Sequence, residues 1–188
     1  MIYFSSDLHL NHDRDFVWKA RGFNSVNEMN EEIIKRFNSV VTSEDDLYLL
    51  GDLCLGGGSV EAMAANRRLL SQLKGKVHHI RGNHDTDQRI EMYKKLYNFV
   101  EVSGKWADML DWNGYHFYIS HFPTITSNMD MQKPLKQVTI NLMGHTHQTE
   151  NFYEDNSRVY HVGADSHNCY PVSIEQIIED IRKKEGIK

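Results

Sequence analysis

Five short apolar runs, each stopping abruptly in a loop rich in Asp, Asn, Gly or His, constrain this chain more than any other feature. They cover residues 2–4, 47–50, 77–80, 117–119 and 138–143. Runs of this length bounded by turn formers read as buried strands. Between the early ones lie helical patterns: Met29, Ile33, Phe37 and Val40 recur at spacings of three and four. Ser59 is placed to cap a second helix bearing Val60, Met63, Ala64, Leu70 and Leu73. Alternating strands and helices predict an α/β sheet.

The second half changes character. Asn113-Gly114 is a hairpin signal within residues 111–118, and the runs around Phe152 and Val159 read as strands without intervening helices. Ser173-Ile174-Glu175-Gln176 is a capping-box pattern, followed by an apolar stripe of Ile174, Ile177, Ile178 and Ile181. Gly56-Gly57-Gly58 lacks the Lys-Ser/Thr ending of a phosphate-binding P-loop and reads as a turn. With no repeat or linker, residues 1–188 are expected to form one domain, a size that buries roughly 70% of the unfolded surface.

Composition narrows the function classes. A formal charge of −5 argues against a surface built to grip polyanions, so no stable nucleic-acid partner is expected. No basic leader precedes an apolar run at the start, and no stretch of ~18 apolar residues suggests a membrane span. The expectation is a cytoplasmic protein with no membrane partner. Cys54 and Cys169 are too few for a disulfide framework and form no zinc-type pair. The sequence leaves the oligomeric state open.

The positions of the metal-competent side chains carry the functional signal. Asp7 and His9 follow the first apolar run, Asp52 the second, Asn83-His84-Asp85 the third, His121 the fourth, and His145 with His147 the fifth. In open α/β sheets, ligands collect beyond the carboxyl ends of strands, so these loops can converge. Any one pair alone reads more readily as a solvated turn than as a metal site; the ordered set does not. Carboxylate, imidazole and amide donors without thiolates suit divalent Mn²⁺, Fe²⁺, Ni²⁺, Zn²⁺ or Mg²⁺. Seven such ligands are too many for one tetrahedral centre and fit two ions roughly 3.5–4 Å apart.

In order and spacing, Asp7-Leu8-His9, Gly51-Asp52, Gly82-Asn83-His84-Asp85, His121 and Gly144-His145-Thr146-His147 resemble the signature of calcineurin-like metallophosphoesterases. Asp7-Leu8-His9-Leu10-Asn11-His12 and Tyr170-Pro171-Val172-Ser173 further resemble small single-domain bacterial and phage phosphoesterases. The resemblance implies a four-layer α/β/β/α sandwich of two mixed β-sheets flanked by helices. It implies two divalent ions, Mn²⁺ foremost. Asp7, His9, Asp52 and His147 would hold one, and Asp52, Asn83, His121 and His145 the other, with Asp52 as the bridge. The implied activity is hydrolysis of a phosphomonoester or phosphodiester by a hydroxide between the ions, on a small phosphorylated substrate such as a nucleotide. A nuclease, an end-processing phosphatase and a non-catalytic metal-binding scaffold are the alternatives.

His84 matches the family's catalytic histidine and is the expected general acid, with Asp85 either orienting it or capping the turn. Asn83 is also expected at the substrate. His12 either reaches the substrate phosphate or lies at the surface. Residues 14–21 place Trp18 between Arg14 and Arg21, either a base-stacking clamp in which Arg21 holds phosphate or an ordinary amphipathic segment. Arg81 either approaches the site or forms an ion pair. Strand alternation accounts for His78, His79, His116 and His161, and His167 is undecided. Residues 123–136 form a polar loop that either shapes a pocket or lies on the surface.

Overall fold

The computed structural model of the protein describes residues 1–124 and 133–187. The first apolar run becomes strand β1 (Ile2–Ser5), and a single-turn helix α1 (Asp15–Trp18) leads to α2 (Val26–Val40). Then come β2 (Asp46–Leu50), α3 (Val60–Leu70), β3 (Lys76–Ile80), α4 (Asp87–Tyr93) and β4 (Phe99–Val102). The expected hairpin forms β5 (Ala107–Trp112) and β6 (Tyr115–Ser120), with Asn113 and Gly114 both at positive φ in the turn. β7 (Thr139–Met143), β8 (Val159–His161), β9 (Val172–Ser173) and α5 (Ile174–Lys184) complete the chain.

These elements make two mixed sheets flanked by helices, the class of fold that the resemblance implies. One sheet has the order β4-β3-β2-β1-β9, with β1 to β4 parallel and β9 antiparallel. The other has the order β5-β6-β7-β8, antiparallel at the hairpin and parallel thereafter. Strand alternation separates two cores. Leu47, Leu49 and Val77 face Met29, Ile33 and Phe37 of α2. Phe4, Leu50 and Ile80 face Phe117, Ile119, Ile140 and Leu142 of the second sheet, where the Ile stripe of α5 also packs.

The helix starts follow the capping chemistry. Ser25, Ser59 and Ser173 each accept a hydrogen bond from the backbone N–H three residues on. Three expectations need correction. Val40 lies 38% exposed at the end of α2 rather than on its buried stripe. The Phe152 run makes one bridge to Tyr160 and no strand. Among the described residues Gln176 completes no capping box with Ser173; its side-chain N–H donates to Asp180. Of the loop at 123–136, the part from 125 to 132 lies outside the described residues.

Candidate metal centre

The carboxyl ends of β1, β2, β3, β6 and β7 bring the expected ligands to one place, where a buried floor meets an open rim. Asp7, His9, Asp52 and His121 are at most 3% exposed, whereas Asn83, His84 and His147 are exposed. Ligand atoms of Asp7, His9 and His147 lie within 4.8 Å of one another, as do those of Asp7, Asp52 and His121. Asp7 therefore belongs to both triads. Asp52 also reaches both: its Oδ2 is 3.9 Å from His9 Nε2 and 3.4 Å from His121 Nε2.

Tight backbone geometry makes this convergence possible. Asp7, His9, Asp52, His145 and His147 all have φ between 49° and 71°, the left-handed region that costs most residues energy but that Asp, Asn and His tolerate best. Two glycines leave the necessary room. A Cβ on Gly82 would fall on Asp52 Oδ1, and one on Gly144 would fall on Ser6 Oγ and Asp7 Oδ2.

The donor set fits divalent cations. Asp7 Oδ1 and both ring nitrogens of His9 are buried without a hydrogen-bond partner, a cost of about 1–3 kcal/mol per orphaned group unless something else satisfies them. Burial, with His147 and Arg21 adding to it, pushes the His9 imidazole down to about 3, so it is neutral and has a lone pair to give. His121 Nδ1 donates to the Leu50 carbonyl at 2.8 Å. Its Nε2 then lies 2.9 Å from Asn83 Oδ1, 3.2 Å from His145 Nδ1 and 3.4 Å from Asp52 Oδ2, a cluster of oxygen and nitrogen atoms whose lone pairs suit a cation or a proton at its centre.

Sequence reasoning missed Asp165. It follows the end of β8 as the other site residues follow their strands, and that position was its available signal. Its Oδ2 accepts from His147 Nδ1 at 2.8 Å, fixing the imidazole so that Nε2 turns toward Asp7 Oδ1 at 3.7 Å. Arg21 grips the same carboxylate at 2.9 and 3.0 Å and donates to the carbonyls of Asp7 and Leu8. Burial alone would raise the Asp165 carboxyl; the hydrogen bonds from His147 and Arg21 outweigh it and hold the group far below the usual range.

Several expected roles change accordingly. Arg21 is no substrate clamp, since its side chain is 3% exposed and committed to Asp165 and to the Asp7 loop. Trp18 packs against the core around α2, with its Nε1 buried. Asp85 does not orient His84. Its Oδ2 accepts from Asp52 N, Gly82 N and His79 Nε2, and its Oδ1 accepts from Tyr93, so it ties the β2 and β3 turns together. Burial opposes ionisation of Asp85, yet these bonds, led by the one from His79, hold it at about 2.

His84 donates its backbone N–H to Asp52 Oδ1 at 2.8 Å, and its Nε2 lies 4.0 Å from Asp52 Oδ2 at the rim. The His12 ring lies 5.3 Å from that of His9, tilted by 30°, and its Nδ1 is buried without a partner. Arg81 pairs with Asp87 at 2.8 Å. His167 Nε2 donates to the His161 carbonyl at the end of β8, at 2.8 Å.

Fold and site together define a two-sheet α/β protein with a cation-ready centre at its strand ends. The calcineurin-like phosphoesterase superfamily domain matches residues 1–179, and the chain belongs to that family. An uncharacterized protein of Methanocaldococcus jannaschii is 29% identical over all of this chain and 94% of its own length. The gene 66 protein of Mycobacterium phage L5 is 26% identical, covering 98% of this chain and 97% of its own length. Among solved structures, a protein of unknown function from Aquifex aeolicus superposes with a TM-score of 0.70 at 20% identity, covering 95% of this chain and 98% of its own. An archaeal phosphodiesterase gives 0.50 at 16% identity, covering 93% and 94%. No helix among the described residues is long and apolar enough to cross a membrane.

Proposed function

We propose that the chain is a phosphoric ester hydrolase that works with two divalent ions, Mn²⁺ foremost. Asp7, His9, Asp52 and His147 hold one ion, and Asp52, Asn83, His121 and His145 hold the other. The observation that carries this reading is the floor of buried polar atoms without a partner, Asp7 Oδ1 and the His9 nitrogens, beside the cluster of oxygen and nitrogen atoms around His121 Nε2. Bound ions of this kind supply Lewis acidity, which lowers the pKa of water and neutralises phosphoryl oxygens.

The chain's own residues do the rest. Asn83 and the rim histidines orient the phosphate, and the buried floor excludes bulk water from beneath it. His84, anchored through its N–H to Asp52 and 45% exposed at its side chain, faces the opening and protonates the departing oxygen. His12 lines the same mouth.

Hydrolysis of paired mono- and diester nitrophenyl phosphates with Mn²⁺, Mg²⁺, Zn²⁺ or chelator, by the parent and by Asp52→Asn, tests the reading. Metal-dependent turnover that Asp52→Asn abolishes is expected; absence of turnover with every ion would replace the hydrolase by a metal-binding scaffold. His84→Ala should retain the metal-binding stoichiometry yet lose more rate with poor leaving groups than with good ones. Equal losses would remove His84 from the acid role.

A further inference from the structure

An aromatic path leads outward from the metal centre. The Phe122 ring packs edge-on against His145 at 4.7 Å and against His121 at 5.1 Å, and Trp106 stacks beside Phe122 at 6.2 Å with 27° between planes. Trp106 is 51% exposed, a large apolar surface left in water next to a charged site. The Arg81 guanidinium lies 5.0 Å from the Trp106 ring centre, within cation–π range. It is ion-paired with Asp87 at 2.8 Å, while its buried Nε has no hydrogen-bond partner. Arg81 N–H also bonds the Lys105 carbonyl at 2.8 Å, so the turn bearing Trp106 is tied to the strand end that carries Asn83 and His84.

A rigid indole beside a guanidinium, two ring contacts from a phosphate-binding centre, suits a planar group attached to the phosphate. Stacking of that kind tolerates different rings because every base or aryl ring offers a π-face. One of the two sequence readings of residues 14–21 puts such a platform at Trp18 and Arg21, but both are committed to the framework. We infer that Trp106, with Arg81 and Phe122 around it, is the surface on which a planar aromatic substituent of the phosphate ester stacks. Nucleotide and aryl esters are then preferred over alkyl phosphates. The inference rests on the hydrolase reading and assigns its substrate class.

The test uses diesters that share a 4-nitrophenolate leaving group and carry methyl, phenyl or thymidine 5′ as the other substituent. The parent should prefer the phenyl or thymidine ester to the methyl one in kcat/KM. Trp106→Ala should shrink that preference by roughly 5- to 150-fold, the range expected for loss of one base–aromatic stack. Trp106→Phe, which keeps a flat ring, should retain most of it. A thymidine preference identifies nucleotides, and a phenyl preference alone identifies simple aryl esters. An equal preference in parent and Trp106→Ala overturns the inference while leaving the hydrolase intact. If no ester turns over with any ion, the hydrolase reading fails separately. Quenching of tryptophan fluorescence by thymidine monophosphate in chelator-treated protein then decides the platform: quenching lost in Trp106→Ala supports it, and quenching equal in both overturns it.

Discussion

Asp165→Asn isolates the contribution of a residue that touches the centre only through others. The substitution keeps the size of the side chain and one acceptor oxygen but removes the charge that faces Arg21 and His147 at 2.8–3.0 Å. Arg21 is 3% and Asp165 14% exposed, so the guanidinium is left buried without a counterion. Breaking one side of such a pair costs about 3–5 kcal/mol, and the remaining amide oxygen puts the variant at the lower end. For a domain of this size about 3 kcal/mol corresponds to a Tm lower by roughly 6–12 °C. His147 simultaneously loses the carboxylate that orients it, a loss worth roughly 10- to 100-fold in metal affinity. Calorimetric Mn²⁺ titration at a temperature where both proteins are folded separates the two effects. Because the Asp165 carboxyl is depressed in the folded chain, its stabilisation is present above the unfolded pKa of about 4 and fades as pH falls below that value. The stability gap between parent and variant should therefore narrow in acid. An unchanged Mn²⁺ affinity in Asp165→Asn would refute the orienting role, whatever happened to Tm.

Gly144→Ala should be damaging despite its small size, because the new methyl falls on Ser6 and on the Asp7 carboxylate. A loss of about 1–3 kcal/mol in thermal unfolding and weaker Mn²⁺ binding are expected, and a parent-like titration would contradict the close approach. Mn²⁺ at 100 times its Kd should stabilise the parent by about 2.7 kcal/mol per ion, read as a Tm shift that Asp52→Asn largely abolishes. Burial pushes the His161 imidazole down to about 4, so below about pH 6.5 the unfolded chain takes up a proton that the folded chain resists. Metal-free protein should lose stability between about pH 6.5 and 4, and His161→Gln should flatten that slope in a denaturant series.

The ligand positions are legible in the sequence because each strand end is short and sharply bounded, so the polar residue that follows it has little freedom of placement. Asp7, His9, Asp52 and His121 are the strongest case, all meeting at one buried floor. Partnerships across long separations are not legible. Arg21 and Asp165 are 144 residues apart, and a basic stretch with a tryptophan reads either as a surface clamp or as an amphipathic segment until its partner is known. Asp85 misleads in the opposite sense. Its place beside His84 suggests a direct contact, whereas the turn points its carboxylate back into the chain toward Asp52, Gly82 and His79. The left-handed φ values of the ligands and the two-residue strand β9 leave no periodic trace at all.

The central claim is that two ions share Asp52. Anomalous diffraction from Mn²⁺-soaked crystals tests it directly. Two peaks roughly 3.5–4 Å apart are expected, with the Asp52 carboxylate touching both and His84 touching neither. A single peak, or a pair of peaks bridged by Asp7 alone, would contradict the account.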